Sequence, residues 1–147
     1  MPATETKHKQ AGNTLKGLYA AGNKPNSMDV IASIRKGLPV SVVSTLTADL
    51  GIPSLELTKK LGLSKATFHR RQKTGRLTAD ESDKAVRYSR LFSQAVETME
   101  SKEAARQWLS SPQIGLGGAT PLDYAETEAG AREVANLLGR IEYGVIS

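Results

Sequence analysis

A chain of 147 residues with 39% apolar content has room for one compact core, or for a small core with a flexible arm; the absence of cysteine excludes disulfides, thiolate metal sites and a cysteine nucleophile. Only two histidines are present, His8 and His69, no apolar run approaches the length of a membrane span, and the polar N-terminus after Met1-Pro2-Ala3-Thr4 lacks the apolar stretch of a signal peptide, so a cytoplasmic protein without metal, cofactor or membrane contact is expected. The net charge of +5 divides unevenly: residues 1–90 hold 16 Lys/Arg against 7 Asp/Glu, and residues 91–147 hold 4 against 8. A basic first part suits a polyanion and an acidic second part a different partner, although charge alone fits an unevenly solvated surface equally well.

In chain order, residues 1–27 read as a flexible or loosely docked arm, polar and interrupted by Gly12, Gly17 and Gly22. Ser27 is placed to cap a first helix with Val30, Ile31 and Ile34 on its apolar face, and Gly37 stops it. Pro39 is expected to start a second helix, with Val42, Val43, Leu46 and Leu50 at helical spacing before Gly51. A third helix follows Pro53-Ser54 and carries Leu55, Leu57, Thr58 and Leu61; Gly62-Leu63 breaks it. Ser64 caps a fourth helix running to Thr74 and ended by Gly75.

The longest helix is expected over 79–99, capped by Thr78, with Ala85, Tyr88, Leu91, Phe92, Ala95, Val96 and Met99 on one stripe. Asp80, Glu81 and Asp83 fit the positive end of that helix. Ser101 caps a short helix to Leu109; a Gly/Pro-rich loop runs from Ser110 to Pro121; Leu122–Ala125 is a helical turn; and Thr127 caps the last helix, which carries Ala131, Val134, Leu137, Leu138 and Ile141. No stretch alternates like a strand, so the fold class is all-α. The divisions expected are an arm over 1–27, a DNA-binding region over 28–99 and a third part over 100–147.

Residues 53–74 carry the sharpest signal: a short helix, a turn at Gly62, and a short basic helix, the pattern of a helix-turn-helix. Ser64 leaves the N-terminus of the second helix facing phosphate. Phe68 is the expected anchor, leaving Lys65, Thr67, His69 and Arg70 to reach base edges in the major groove. Arg71, Lys73 and Arg76 are better placed for phosphates. A helical hairpin with a solvated basic face fits the same pattern.

The C-terminal part says less unaided. Leu116-Gly117-Gly118-Ala119-Thr120-Pro121 lacks the Lys-Ser/Thr and the preceding strand of a phosphate loop, and reads as a turn before a helix. Trp108 fits a core anchor better than a partner contact. Arg140, Glu142 and Tyr143 lie together beside Gly144, a pattern that suits either a frayed C-terminus or a tail that enters a partner's cleft. No Ser/His/Asp set, metal cluster or paired-carboxylate motif supports an enzyme.

The run Leu63-Ser64-Lys65-Ala66-Thr67-Phe68-His69-Arg70-Arg71, continued by Gly75-Arg76-Leu77-Thr78-Ala79-Asp80-Glu81-Ser82-Asp83, resembles the helix-turn-helix of the Xre/MbcA/ParS antitoxin family. Ala104, Trp108-Leu109, Pro112 and Leu116–Asp123 resemble the start of that family's toxin-binding domain, and Thr127–Ala131, Val134 and Leu138–Val145 its end. The resemblance covers about residues 55–147 in order. It implies a small C-terminal helical toxin-binding domain and the antitoxin half of a type II toxin–antitoxin system, whose usual partner is a RES-domain toxin that destroys NAD. The antitoxin would cover the toxin's active site through Arg140, Glu142, Tyr143, Gly144, Val145, Ile146 and Ser147. It would also bind promoter DNA as a homodimer and repress the shared operon. The alternative is a stand-alone dimeric helix-turn-helix regulator whose C-terminal part serves dimerisation only.

Overall fold

The computed structural model describes residues 27–144. The expected arm, apart from Ser27, and the tail residues Val145, Ile146 and Ser147 lie outside the described residues. Within them the protein is helical, with eight α-helices, one 3-10 turn and no strand: α1 (Ser27–Lys36), α2 (Val42–Leu50), α3 (Ser54–Lys60), α4 (Lys65–Thr74), α5 (Ala79–Met99), α6 (Lys102–Leu109), the 3-10 turn Ile114–Leu116, α7 (Pro121–Tyr124) and α8 (Glu128–Glu142). The chain divides into two compact units, one ending at Val86 and the other beginning at Arg87, so that the division falls inside α5.

The first unit is organised by leucine and valine at helical spacing. Val42, Val43, Leu46 and Leu50 of α2 are buried against Leu57 and Leu61 of the α3 segment, with Leu38, Ile52, Leu63, Leu77, Ala85 and Val86 completing the core. Leu55 sits off the stripe made by Leu57, Thr58 and Leu61 and is 62% exposed. No residue of α1 is fully buried; Val30 and Ile34 are half-buried and Ile31 is 49% exposed, so its expected apolar face is only partly covered among the described residues.

Helix α2 starts at Val42 and not at Pro39, because the backbone just before it is recruited elsewhere. Pro39 and Arg76 form an isolated antiparallel bridge. The Leu77 N–H donates to the Leu38 carbonyl (2.9 Å) and the Val40 N–H to the Gly75 carbonyl (3.0 Å). The Leu38 N–H in turn donates to Ser82 Oγ (2.9 Å), which ties the segment to α5. Gly37, at φ +87°, makes this approach possible: a Cβ there would collide with the Leu77 carbonyl oxygen.

The second unit packs Tyr88, Leu91, Phe92 and Ala95 of α5 with Ala105 and Leu109 of α6, Leu116, Leu122, Ala125, and Ala131, Val134 and Leu138 of α8. Ser101 Oγ accepts the Ala104 N–H (3.1 Å), Thr120 Oγ1 the Asp123 N–H (3.2 Å) and Thr127 Oγ1 the Gly130 N–H (3.0 Å), satisfying donors that each helix start leaves unpaired. Polar ties join α5 to α8. Arg87 donates to Glu128 Oε2 (3.2 Å) and to the Glu126 carbonyl (3.0 Å), Arg90 to Glu128 Oε1 (3.2 Å), and Gln94 to the Ala135 carbonyl (3.0 Å). Tyr88 is wholly buried. Burial pushes its hydroxyl up to about 12, helped by the charges of Glu126 and Asp123 and opposed by Arg87.

Candidate nucleic-acid interface and partner-binding segment

Helix α3 hands over to α4 through a tight turn. Gly62 takes φ +75°, its N–H donating to the Lys59 carbonyl (3.0 Å) and the Leu63 N–H to the Thr58 carbonyl (2.8 Å), while Leu63 is buried as the plug of the turn. Ser64, extended at φ −68° and ψ 164°, then caps α4: its hydroxyl oxygen accepts the Thr67 N–H (3.1 Å). Gly75, at φ +84°, closes the far end with its N–H on the Arg71 carbonyl (2.7 Å). These are the turn and caps expected from the sequence, and they isolate a ten-residue basic helix.

Helix α4 contains no fully buried side chain. Phe68, the expected anchor, is half-buried, and Ala66 is exposed. A helix with so little apolar burial depends more than its neighbours on polar ties, and the main one is unexpected. Arg71, expected to face phosphate, forms a bidentate pair with Glu81: Nε to Oε1 at 2.8 Å and Nη2 to Oε2 at 3.0 Å. Glu81 is itself part of a reciprocal cap on α5, accepting the Thr78 N–H (2.8 Å) while its own N–H donates to Thr78 Oγ1 (3.2 Å). Burial would push the Glu81 carboxyl up, but the Arg71 and Thr78 hydrogen bonds outweigh it and hold the group below its ordinary value.

The remaining expected DNA contacts distribute as follows. Ser64, Lys65, His69, Arg70 and Lys73 are exposed on α4, and Thr67 is half-buried. Ser64 Oγ donates to Thr67 Oγ1 (2.9 Å) and Arg70 Nη2 donates to the same oxygen (3.1 Å), so three of these residues form one hydrogen-bonded group at the start of the helix. Arg76, exposed and beyond the Gly75 cap, donates from Nη1 to the Gly37 carbonyl (2.7 Å). Lys84 Nζ lies 3.2 Å from where a Cβ on Gly62 would stand, adding a cation over the turn that the sequence pattern did not single out.

At the other end of the chain, Arg140 is half-buried, Glu142, Tyr143 and Gly144 are exposed, and Tyr143 ends α8 with 82% of its surface free. Trp108 is half-buried on α6 between the buried Ala105 and Leu109, so neither a sealed core position nor a fully free surface describes it. Among the described residues no three His, Asp or Glu side chains gather as a metal site, and no helix is long and apolar enough to cross a membrane.

A capped basic helix behind a glycine turn, followed in the same chain by a separate small helical unit, defines a two-part helix-turn-helix protein. Residues 29–90 match the family model described as the antitoxin Xre-like helix-turn-helix domain, and residues 94–144 that described as the antitoxin Xre/MbcA/ParS C-terminal toxin-binding domain. An Antitoxin Xre of Yersinia enterocolitica is 37% identical over 80% of this chain and 81% of its own, and an Antitoxin Xre of Photorhabdus laumondii 36% identical over 79% and 80%. A Sphingobium protein named Prs ADP-ribosylating antitoxin is 24% identical over 88% of this chain and 87% of its own. The chain belongs to the Xre/MbcA/ParS antitoxin family.

Proposed function

We propose that this antitoxin neutralises a RES-domain, NAD-degrading toxin by covering its active site, and that as a cytoplasmic homodimer it binds promoter DNA and represses its own operon. It acts by binding and catalyses nothing. The observation that carries the reading is the order of two matched domains in one chain, helix-turn-helix then toxin-binding, laid over a charge split of the same sense: basic where DNA is to be met and acidic where a protein is. Lys65, His69, Arg70 and Lys73 form the DNA face, with Thr67 and Ser64 at the helix start and Arg76 at its far side. Arg71 serves this face indirectly, by fixing α4 to Glu81. Arg140, Glu142, Tyr143 and Gly144, with Val145, Ile146 and Ser147 beyond them, form the toxin-covering end.

Co-expression with the toxin encoded beside it tests the reading: growth and cellular NAD should both recover, and unrelieved toxicity would refute it. The name of the Sphingobium relative favours a second reading, in which the partner modifies a protein by ADP-ribosylation. The two separate on one measurement, since that partner would leave a modified target where an NAD-degrading toxin leaves only a depleted pool.

A further inference from the structure

The loop that joins α6 to α7 is closed by its own hydrogen bonds. The Gln113 N–H donates to the Ala119 carbonyl (3.0 Å), and the N–H groups of Gly118 and Leu116 return to the Gln113 carbonyl (2.9 and 3.1 Å). The Gln113 side-chain amide donates to both the Trp108 and Ser111 carbonyls (3.1 Å each), fixing the loop to the end of α6. Leu116 is buried beneath it, and Gly115 lies so close to Leu137 of α8 that a Cβ there would stand 3.2 Å from its methyl group. A loop held in this way has little freedom to lose. Out of it projects Ile114, 99% exposed.

A single exposed apolar side chain is ordinary on a mobile surface. One carried on a closed, plugged loop is different, because the ordering cost of docking has been met by the fold. Gly117 and Gly118 follow it at φ +67° and +88°, and among the described residues nothing beyond their own chain neighbours comes within 4 Å of where a Cβ would be. Another backbone can therefore come close beside the isoleucine without meeting a side chain. The loop lies within residues 94–144, the toxin-binding segment, and residues 91–147 carry 4 Lys/Arg against 8 Asp/Glu.

We propose that Ile114 is an anchor for the toxin, entering an apolar cleft with a basic rim on that partner. The inference rests on the toxin-neutralising function proposed above and adds a second contact site to the α8 end.

The test is titration calorimetry of the full chain against the inactivated RES-domain toxin of the co-expression experiment. Burying an isoleucine is worth about 1.5–3 kcal/mol and a single methylene about 0.8 kcal/mol, so Ile114→Ala should weaken binding roughly 10- to 150-fold, Ile114→Asp more, and Ile114→Val only about 4-fold. Because the side chain stands in solvent, the variants should melt with the parent and bind promoter DNA as it does. An Ile114→Asp variant that binds toxin within twofold of the parent overturns the proposal. So does one that instead converts a dimer of the free chain to monomer in sedimentation, which would assign the side chain to self-association. A parent chain that fails to bind the toxin at all refutes the proposed function itself, and the anchor with it.

Discussion

Replacing Gly130 by alanine puts two opposite expectations on one residue. Gly130 sits in the first turn of α8, and an alanine in a helix is ordinarily favoured over glycine by up to about 1 kcal/mol. The structure predicts the reverse. A Cβ at Gly130 would overlap the Tyr124 carbonyl oxygen, stand 2.9 Å from the carbonyl carbon and 3.1 Å from Thr127 Oγ1, the atom that caps α8. Tyr124 ends α7, and just downstream Arg87 holds the Glu126 carbonyl, so the backbone has little room to retreat. Overpacking of this kind costs about 1–3 kcal/mol or more, and loss of the cap about 1 kcal/mol further. The net expectation is a destabilisation of about 2 kcal/mol, a fall in melting temperature of roughly 10 °C for a unit of this size. Gly139, later in the same helix, is the internal control, because among the described residues nothing outside its own stretch of helix comes within 4 Å of a Cβ there: Gly139→Ala should raise the melting temperature by a few degrees, in line with about 0.5–1 kcal/mol of propensity. Calorimetric melts of the two variants settle the matter. A Gly130→Ala protein that melts at or above the parent refutes the close-approach argument.

Further outcomes follow from the two units. Arg70→Ala and Lys73→Ala together should weaken promoter binding and flatten its dependence on salt by a slope of about 1 per lost phosphate contact; an unchanged gel shift across the salt range would exclude both residues from the interface. Glu81→Gln keeps the shape of the α5 cap but removes the charge facing Arg71, and should loosen α4, seen as faster amide exchange over residues 65–74; exchange unchanged there would show that the pair does not hold the helix. The Glu81 carboxyl is held below its ordinary value when folded, so its contribution is present above the unfolded carboxylate range and fades as pH falls through the folded value; Glu81→Gln should therefore narrow the gap to the parent in acid melts. Tyr88 runs the other way. Its folded value of about 12 lies above the ordinary 10, so its stabilisation is complete below pH 10 and lost as pH rises toward 12. Spectroscopic titration should show one tyrosine ionising together with alkaline unfolding, a coupling absent from Tyr88→Phe.

What the sequence disclosed was what lies within three or four residues of itself. Ser64, Thr78, Ser101 and Thr127 were legible as caps because each hydroxyl meets an N–H three residues on. The α5 stripe was legible because helical spacing alone brings Ala85, Tyr88, Leu91, Phe92 and Ala95 to one side. The features that escaped depend on distant partners. Pro39 reads as a helix start until the backbone of Gly75–Leu77, 36 or more residues on, takes up its neighbours. Arg71 reads as one more cation on a basic helix until Glu81, ten residues later, claims it. Ile114 sits in a segment whose glycines signal a turn, and nothing in its neighbours announces that Leu116 goes inward while Ile114 goes out.

The hydrogen-bonded group at the start of α4 gives Thr67 a fixed polarity. A hydroxyl has two lone pairs and one proton. On Thr67 the lone pairs are occupied, one by the Ser64 hydroxyl and one by the Arg70 guanidinium. With Ser64 and Arg70 both donating to it, the proton is what Thr67 keeps to offer outward. On a duplex such a group is matched by phosphate oxygens, by the N7 and O6 of guanine or by the O4 of thymine, and mismatched by the exposed amino group of cytosine. In the proposed interface, a residue type that ordinarily reads either sign of base edge would favour one, through the Ser64 and Arg70 contacts beside it.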